Sequence, residues 1–476
     1  MADPGRLTKI VATWGPAVAS DEMLRGLIAA GVDVFRLNFS HATHQEVSAA
    51  VPRIRELAEA AGRSVGLLQD IQGPRLRTGP LAGGKPAELA TGSTVTITAI
   101  EGPSSSEQLS IAYPHLTDDV KPGHRILIAD GRIVLRAVAV SRAEIQAEVL
   151  SGGSVGEHKG VNLPDSQVSM PPLTPKDHED LALGAELEVD FVALSFVRRA
   201  DDVLACKRVL AELGRDTPVV AKIEHPEAIT NLEEILAASD AVMVARGDLG
   251  VELSVERVPL LQKQIIARAN EIGIPAITAT QMLESMVDRP VPTRAEASDI
   301  ANAVLDGTDA LMLSAETAIG RYPVEAVATM ARIAEAAESA REKHRAHPTG
   351  DEAHAVAEAA RSLASNVGAR ALLCFTPSGA RARTLSHQRP DGPIFAITSD
   401  PAVRSGLSLW YGVQPISTES SGKPSRDFEA AVHDGLTQLR DSGALDAGDR
   451  VVVFGSADEP EGGATSLIDV RTVPGA

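Results

Sequence analysis

Short apolar runs recur along the first two thirds of the chain, and most end on a polar residue. They read Lys9–Thr13, Val34–Asn38, Val65–Gln69, Phe191–Ser195, Val219–Lys222, Ala241–Ala245, Ala276–Thr280 and Ala310–Ser314. Near-continuous apolar strands of this length are those of parallel sheets covered on both faces. Helical periodicity separates many of them: Met23–Ala30 stopping at Gly31, His44–Ala61 stopping at Gly62, Leu232–Ala238, and Pro259–Ile272 stopping at Gly273. Eight strands alternating with helices predict a closed (β/α)₈ barrel, the TIM barrel, with its active site at the C-terminal strand ends. Polar residues stand at those ends: Arg36 and Asn38, Asp70, Ser195, Lys222 and Glu224, Asp248, Thr280, Ser314 and Glu316. Some of them are expected to cap the following helices as well.

Two stretches break the pattern. Residues 78–169 carry short β runs, Gly92–Thr98, Arg125–Ala129, Ile133–Val140 and Ala147–Leu150, between Gly, Pro and Asp turns. They predict a small β-barrel inserted after the third strand, placed as a lid over the barrel mouth. An alanine-rich helix then runs to about His344, and a polar linker, His347–Asp351, follows. From Glu352 the pattern resumes with helix 352–367, strand Ala371–Phe375, strand Pro393–Thr398, helix 427–440 and strand Arg450–Phe454, a doubly wound C-terminal α/β domain. The expected division is barrel 1–77 and 170–346, lid 78–169, and C-terminal domain 347–476.

Composition sharpens the function classes. The 476 residues include 64 acidic and 45 basic side chains, a net charge of −19, which argues against nucleic-acid and acidic-membrane binding. An anionic substrate must therefore meet a local basic pocket. Aromatic residues are only 3% of the chain, so aliphatic cores are expected. Cys206 and Cys374 lie far apart and match no metal spacing, and no apolar run spans a bilayer; a cytoplasmic protein of a reducing compartment is expected. His41 and His44 are spaced like a zinc pair but lack a third ligand nearby, so a loop and helix start is the better reading.

The densest chemistry lies in Val219–Glu224 and Ala238–Glu252. Each is an apolar strand ending in charge, Lys222 with Glu224 and Arg246-Gly247-Asp248. Two carboxylates suit Mg²⁺, and a lysine neutralises a phosphoryl group in transfer. Two solvated strand ends are the bland alternative, made improbable by their conjunction.

The motifs resemble those of the pyruvate kinase family over nearly the whole chain. They are Thr8–Pro16, Phe35–His41, Lys159–Pro164, Leu173–Asp177, Lys222-Ile-Glu224, Met243–Glu252, Ala279–Met286 and Met312–Thr317. The resemblance implies phosphoryl transfer from phosphoenolpyruvate to ADP, giving pyruvate and ATP. It implies Lys222 as the group that stabilises the phosphoryl in flight, and Arg36 as its clamp. Glu224 and Asp248 would hold Mg²⁺, with Mn²⁺ a substitute. Gly247, Asp248 and Thr280 would receive the substrate carboxylate. Ser314 and Glu316 would lie near a water relay, which leaves the final proton donor open. Asn38, His41, Arg77 and Lys159 match nucleotide-binding positions. Family analogy also implies a homotetramer.

The chain departs from the family in two places. Asp70-Ile-Gln-Gly-Pro-Arg-Leu-Arg77 replaces the usual Asp-Thr-Lys-Gly-Pro-Glu-Ile-Arg. The usual K⁺ site uses groups matching Asn38, Ser40, Asp70 and the threonine now replaced by Ile71. Arg75 is expected to supply the missing positive charge, so that K⁺ is not required. In the C-terminal loop, Thr376, Ser378 and Gly379 are kept, while Ala380 and Arg381 follow. A phosphorylated effector other than fructose bisphosphate is expected there. Two rivals stand against this reading. One is another Mg²⁺-dependent barrel enzyme of phosphoenolpyruvate or pyruvate, an aldolase or lyase. The other is an inactive metabolite sensor, which would be expected to have lost Lys222, Glu224, Asp248 or Thr280.

Overall fold

The computed structural model describes residues 5–341, 351–417, 428–455 and 467–475. Eight parallel strands close into a barrel in chain order: Lys9–Thr13, Val34–Asn38, Gly66–Ile71, Phe191–Leu194, Val219–Ile223, Ala241–Ala245, Ala276–Ala279 and Ala310–Leu313. The expected strands are thus all present, three with the same bounds and the others shifted at their ends by one or two residues. Val11, Val34, Leu68, Val220, Met243, Ile277 and Met312 fill the interior. A second apolar shell lies between strands and helices, where Ile10, Leu37 and Leu67 on one side and Val192, Ala221 and Val244 on the other meet helical side chains. This two-sided burial is why the strands carry no polar alternation until they end.

Local signals place the helices. Thr43, Thr174 and Thr293 each cap a helix in a reciprocal box with the acid three residues on, Glu46, Asp177 and Glu296. Gly31 and Gly273 terminate theirs in the left-handed conformation that glycine adopts without strain. His44 opens the helix His44–Ala60, as the non-zinc reading required, and its Nε2 lies 2.7 Å from Asp180 Oδ1.

The inserted region forms a seven-stranded sheet with an added two-stranded ribbon. Its edge strands, Leu76–Arg77 and Gln108–Ser110, continue into an antiparallel bridge between Thr78 and Ile111 that joins the two edges. Ile97, Leu109, Ile126, Leu135, Ile145 and Val161 form its core.

The alanine-rich helix spans Pro323–Glu338 and stops short of the expected His344, which lies outside the described residues. The C-terminal sheet has five strands. Val413–Ile416, Ile394–Ile397, Ala371–Phe375 and Arg450–Gly455 are parallel, and Leu467–Thr472 is antiparallel at the edge. Val413-Gln-Pro-Ile416 escaped the sequence reading because its proline is tolerated only at an edge.

This domain docks on the base of the barrel, opposite the strand ends that carry the chemistry. Lys9 Nζ donates to the Val413 carbonyl at 2.6 Å. Arg389 Nη2 donates to Asp309 Oδ2 at 2.9 Å and to the Gly307 carbonyl at 2.7 Å, and its guanidinium stacks 4.6 Å from the Tyr411 ring centre. Both Arg389 and Asp309 are buried, and burial pushes the Asp309 carboxyl upward against the pull of Arg389. Removing one partner of such a pair strands a buried charge. Arg389→Met is therefore expected to lower unfolding stability by about 3–5 kcal/mol. Adding Asp309→Asn should recover part of the loss. Denaturant unfolding checks this, and a wild-type midpoint in Arg389→Met would contradict it.

Candidate active site

The C-terminal strand ends gather the predicted charges around one ammonium group. Lys222 is the last residue but one of the fifth strand, and its Nζ lies 3.2 Å from Asp70 Oδ1, 3.0 Å from Glu224 Oε1 and 2.8 Å from Ser195 Oγ. Ser195 donates in turn to the Ile71 carbonyl at 2.8 Å. Arg36 reaches the other oxygen of the same aspartate, Nε to Asp70 Oδ2 at 2.6 Å, and donates from Nη1 to Thr13 Oγ1 at 3.1 Å. Its Nη2 has no partner among the described residues and is available to an anion.

Burial by itself would strip the charge from Lys222. The carboxylates of Asp70 and Glu224 outweigh it and hold the ammonium above its ordinary value. Asp70 is also buried, yet Arg36 and Lys222 together keep it below the usual carboxylate range. Glu224 shares Lys222 with Asp70. Burial raises it, Lys222 opposes this, and the nearby Asp248 carboxylate pushes it further up. Two carboxylates that repel each other beside a lysine already in use form a donor set suited to a divalent ion. Among the described residues no cluster of three or more His, Cys, Asp or Glu side chains could hold a metal. Mg²⁺ tolerates this, because it takes one or two carboxylates and completes its shell with water and substrate oxygens.

The sixth and seventh strand ends form the other wall. The short helix Arg246–Glu252 begins directly after the sixth strand. Gly247 N donates to Thr280 Oγ1 at 2.7 Å, and Thr280 Oγ1 donates to the Ala279 carbonyl at 2.6 Å. Thr280 and Gln281 both have positive φ, 70° and 55°. That is unusual for a β-branched residue and costs about 1–3 kcal/mol. Arg246 braces the loop from below, donating to the Thr280 carbonyl at 2.7 Å and to Asp299 Oδ1 at 2.8 Å. A partly buried arginine thus holds the strained turn in place.

Comparison with known proteins settles which chemistry this arrangement serves. The family pattern described as pyruvate kinase, barrel domain, matches residues 5–327, and pyruvate kinase, alpha/beta domain, matches residues 354–471. The chain is 44% identical to the pyruvate kinase of Mycobacterium intracellulare over 98% of both chains. It is 42% identical to that of Corynebacterium glutamicum over 98% of this chain and 97% of the relative. The crystal structure of a pyruvate kinase from Cryptosporidium parvum superposes with a TM-score of 0.90 at 36% identity, covering 99% and 97% of the two chains. The chain belongs to the pyruvate kinase family. As a pyruvate kinase it transfers the phosphoryl group of phosphoenolpyruvate to ADP in glycolysis, which removes the aldolase or lyase and sensor alternatives.

The structure brings together Arg36, Asp70, Lys222 and Glu224, and across from them Gly247, Asp248 and Thr280. It does not bring Arg75 to Asp70. The Arg75 guanidinium lies 3.6 Å from Asp130 in the lid and packs against Gly160, while Asp70 is already taken by Arg36 and Lys222. Asn38 Oδ1 accepts from Ser40 N at 3.1 Å, which orders that loop. Glu316 is buried with both oxygens engaged, accepting from Leu283 N at 3.0 Å and Ser314 N at 2.7 Å. In this pyruvate kinase it therefore fastens the seventh and eighth strand loops together. His41 and Lys159 are exposed, and Arg77 donates to the His158 carbonyl at 3.0 Å. Gly160 pairs with Arg77, so both lid cations sit at its hinge.

In the C-terminal loop, Thr376 Oγ1 is buried with no partner among the described residues, Ser378 is exposed, and Gly379 is left-handed before the helix Ala380–His387. Arg381 donates to the Phe375 carbonyl at 3.0 Å. No helix among the described residues is long and apolar enough to cross a membrane. Two contributors lay beyond the sequence assignments. Ser195 carried a visible signal as a polar strand end, whereas the bracing by Arg246 depends on contacts that sequence spacing does not reveal.

Proposed function

We propose that Lys222 carries the transfer step, on the single observation that its buried Nζ lies 3.2 Å from Asp70 Oδ1 and 3.0 Å from Glu224 Oε1. As the bond from the enol oxygen to phosphorus breaks and one from the terminal ADP oxygen forms, negative charge spreads over the transferring oxygens. A fixed ammonium stabilises that state without reorganising. Arg36, free at Nη2, orients the same phosphoryl group. The N–H groups of Gly247 and Asp248 receive the substrate carboxylate beside Thr280, whose hydroxyl already rests on Gly247 N. The enolate left behind takes a proton at carbon 3 on the side of Thr280 and Ser314, with Glu316 holding that loop. Glu224 and Asp248 would hold Mg²⁺, or Mn²⁺ in its place. When bound, the ion supplies positive charge to the phosphoryl and substrate oxygens. Asn38, His41, Arg77 and Lys159 take the nucleotide.

The finer readings extend from there. The enzyme works without K⁺, because Ile71 offers no side-chain oxygen and Asp70 is neutralised by Arg36 and Lys222 from within the protein. Arg75 contributes a long-range positive charge from the lid base. A phosphorylated effector binds the C-terminal loop, where Thr376 Oγ1 and the Ser378-Gly379 turn face an anion and Arg381 adds charge. The chain works as a homotetramer in the cytoplasm, which light scattering and cell fractionation test.

Lys222→Met is expected to cut ATP formation by about a thousandfold or more while phosphoenolpyruvate still binds, since the ammonium acts in the transition state. Stopped-flow turnover with equilibrium substrate binding checks this; near-normal turnover would sink the assignment. A second assay follows activity against Mg²⁺ in K⁺-free buffer, with an inert organic cation holding ionic strength and a panel of phosphorylated metabolites added singly. Wild-type turnover should be close to that with K⁺. Glu224→Gln should need more Mg²⁺, and Arg381→Ala should blunt the one metabolite that acts. A wild-type enzyme silent until K⁺ is added refutes the K⁺ reading. A panel with no effect refutes the effector.

A further inference from the structure

The lid meets the barrel at the far end of the helix Arg246–Glu252. Asn162, last residue of the lid strand Gly160–Asn162, donates from Nδ2 to Glu252 Oε1 at 2.6 Å. One residue earlier, Val251 faces the lid turn at Ala129–Gly131, where a side-chain carbon at Gly131 would stand 3.6 Å from Val251 Cγ1. Glu252 itself is only 4% exposed, and its second oxygen, Oε2, is buried with no partner among the described residues.

A carboxyl in such a place is costly. A leucine or methionine would fill the space without an unsatisfied polar atom, which costs about 1–3 kcal/mol when buried. Burial pushes the Glu252 carboxyl up to about 7, with Asn162 opposing and the Asp248 charge adding to the rise. Arg125 and Asp165, the other charged groups felt by Glu252, are paired with each other at 2.8 Å. The position of this group explains what the cost secures. The helix that ends at Glu252 has Gly247 and Asp248 in its first turn, the residues given the substrate carboxylate and metal roles above. The strand that ends at Asn162 follows Lys159 and pairs with Leu76–Arg77, the lid side of the nucleotide site. One hydrogen bond thus ties the two halves of the reaction centre through two short, stiff elements.

We propose that Glu252 is a positioning residue that couples the nucleotide-bearing lid to the helix carrying Gly247 and Asp248. Glu252 touches no reacting atom. The inference rests on the reading of the lid as the nucleotide-bearing element.

The test compares wild type with Glu252→Ala, Asn162→Ala, the double variant and Glu252→Gln. ADP KM, phosphoenolpyruvate KM at low and saturating ADP, kcat and Tm are read for each. Each alanine variant should raise ADP KM about 3- to 10-fold, the worth of one buried hydrogen bond. Each should also abolish any dependence of phosphoenolpyruvate KM on ADP. The double variant should be no worse than either single, because both remove the same bond. Glu252→Gln, which keeps an oxygen acceptor, should return ADP KM to within about twofold of wild type. Should Glu252→Ala fail to fold, Asn162→Ala and Glu252→Gln decide the matter between them. Wild-type constants in Asn162→Ala, or losses that multiply in the double variant, overturn the proposal. A fall in Tm with unchanged ADP KM assigns Glu252 to stability alone and overturns it too. A variant with both Arg77 and Lys159 replaced that keeps the wild-type ADP KM removes the lid reading instead, a result separable from the others.

Discussion

One ammonium group is shared by two carboxylates and a hydroxyl that arrive from three different strands of the barrel. Asp70 lies on the third strand, Ser195 follows the fourth, and Glu224 follows the fifth beside Lys222 itself. The charges are buried, so none is tolerable alone; each is held by the others. Isolated, a buried lysine would lose its proton and a buried aspartate would gain one. Together they favour the ionised forms, which leaves a fixed positive charge at the barrel mouth. The closed barrel makes this possible, because consecutive strands deliver their ends to one ring.

The rest of the molecule follows from protecting that ring. The C-terminal domain docks on the opposite face, so the pair Arg389 and Asp309 can be sealed without obstructing the mouth. Residues with positive φ, Phe196, Thr280 and Gln281, cluster at the strand ends. Side chains brace them: buried Glu224 accepts from Phe196 N at 2.8 Å, and partly buried Arg246 holds the Thr280 carbonyl. The lid enters between the third and fourth strands, and its return strand comes back against the helix Arg246–Glu252.

Much of this was legible in the sequence, for a physical reason. Barrel strands are buried on both faces, so their apolar runs are unbroken and their polar ends stand out; Lys222, Glu224 and Asp70 could be read from that alone. Thr43, Thr174 and Thr293 announce helices by chemistry local to a few residues. What depended on distant contacts was not legible. Nothing around Glu316 says that both its oxygens are spent on backbone N–H groups of two loops. Arg75 could be seen as an added charge, but its partner depends on how the lid turn at Asp130 folds over the chain. The edge strands Val413–Ile416 and Leu467–Thr472 were missed because half-exposed edges lack the continuous apolar signature. Glu252 read as the tail of a motif, and only its burial beside Asn162 gives it a role.

The central claim is that Lys222 stays protonated because Asp70 and Glu224 outweigh its burial. Lysine labelled with ¹³C at Cε, with the Lys222 resonance assigned by its loss in Lys222→Arg, reports the charge of that group directly as pH is raised. The account predicts a Lys222 signal that does not titrate below the ordinary lysine range of about 10.4. A Lys222 that loses its proton near neutral pH would contradict it, and with it the role of the shared ammonium.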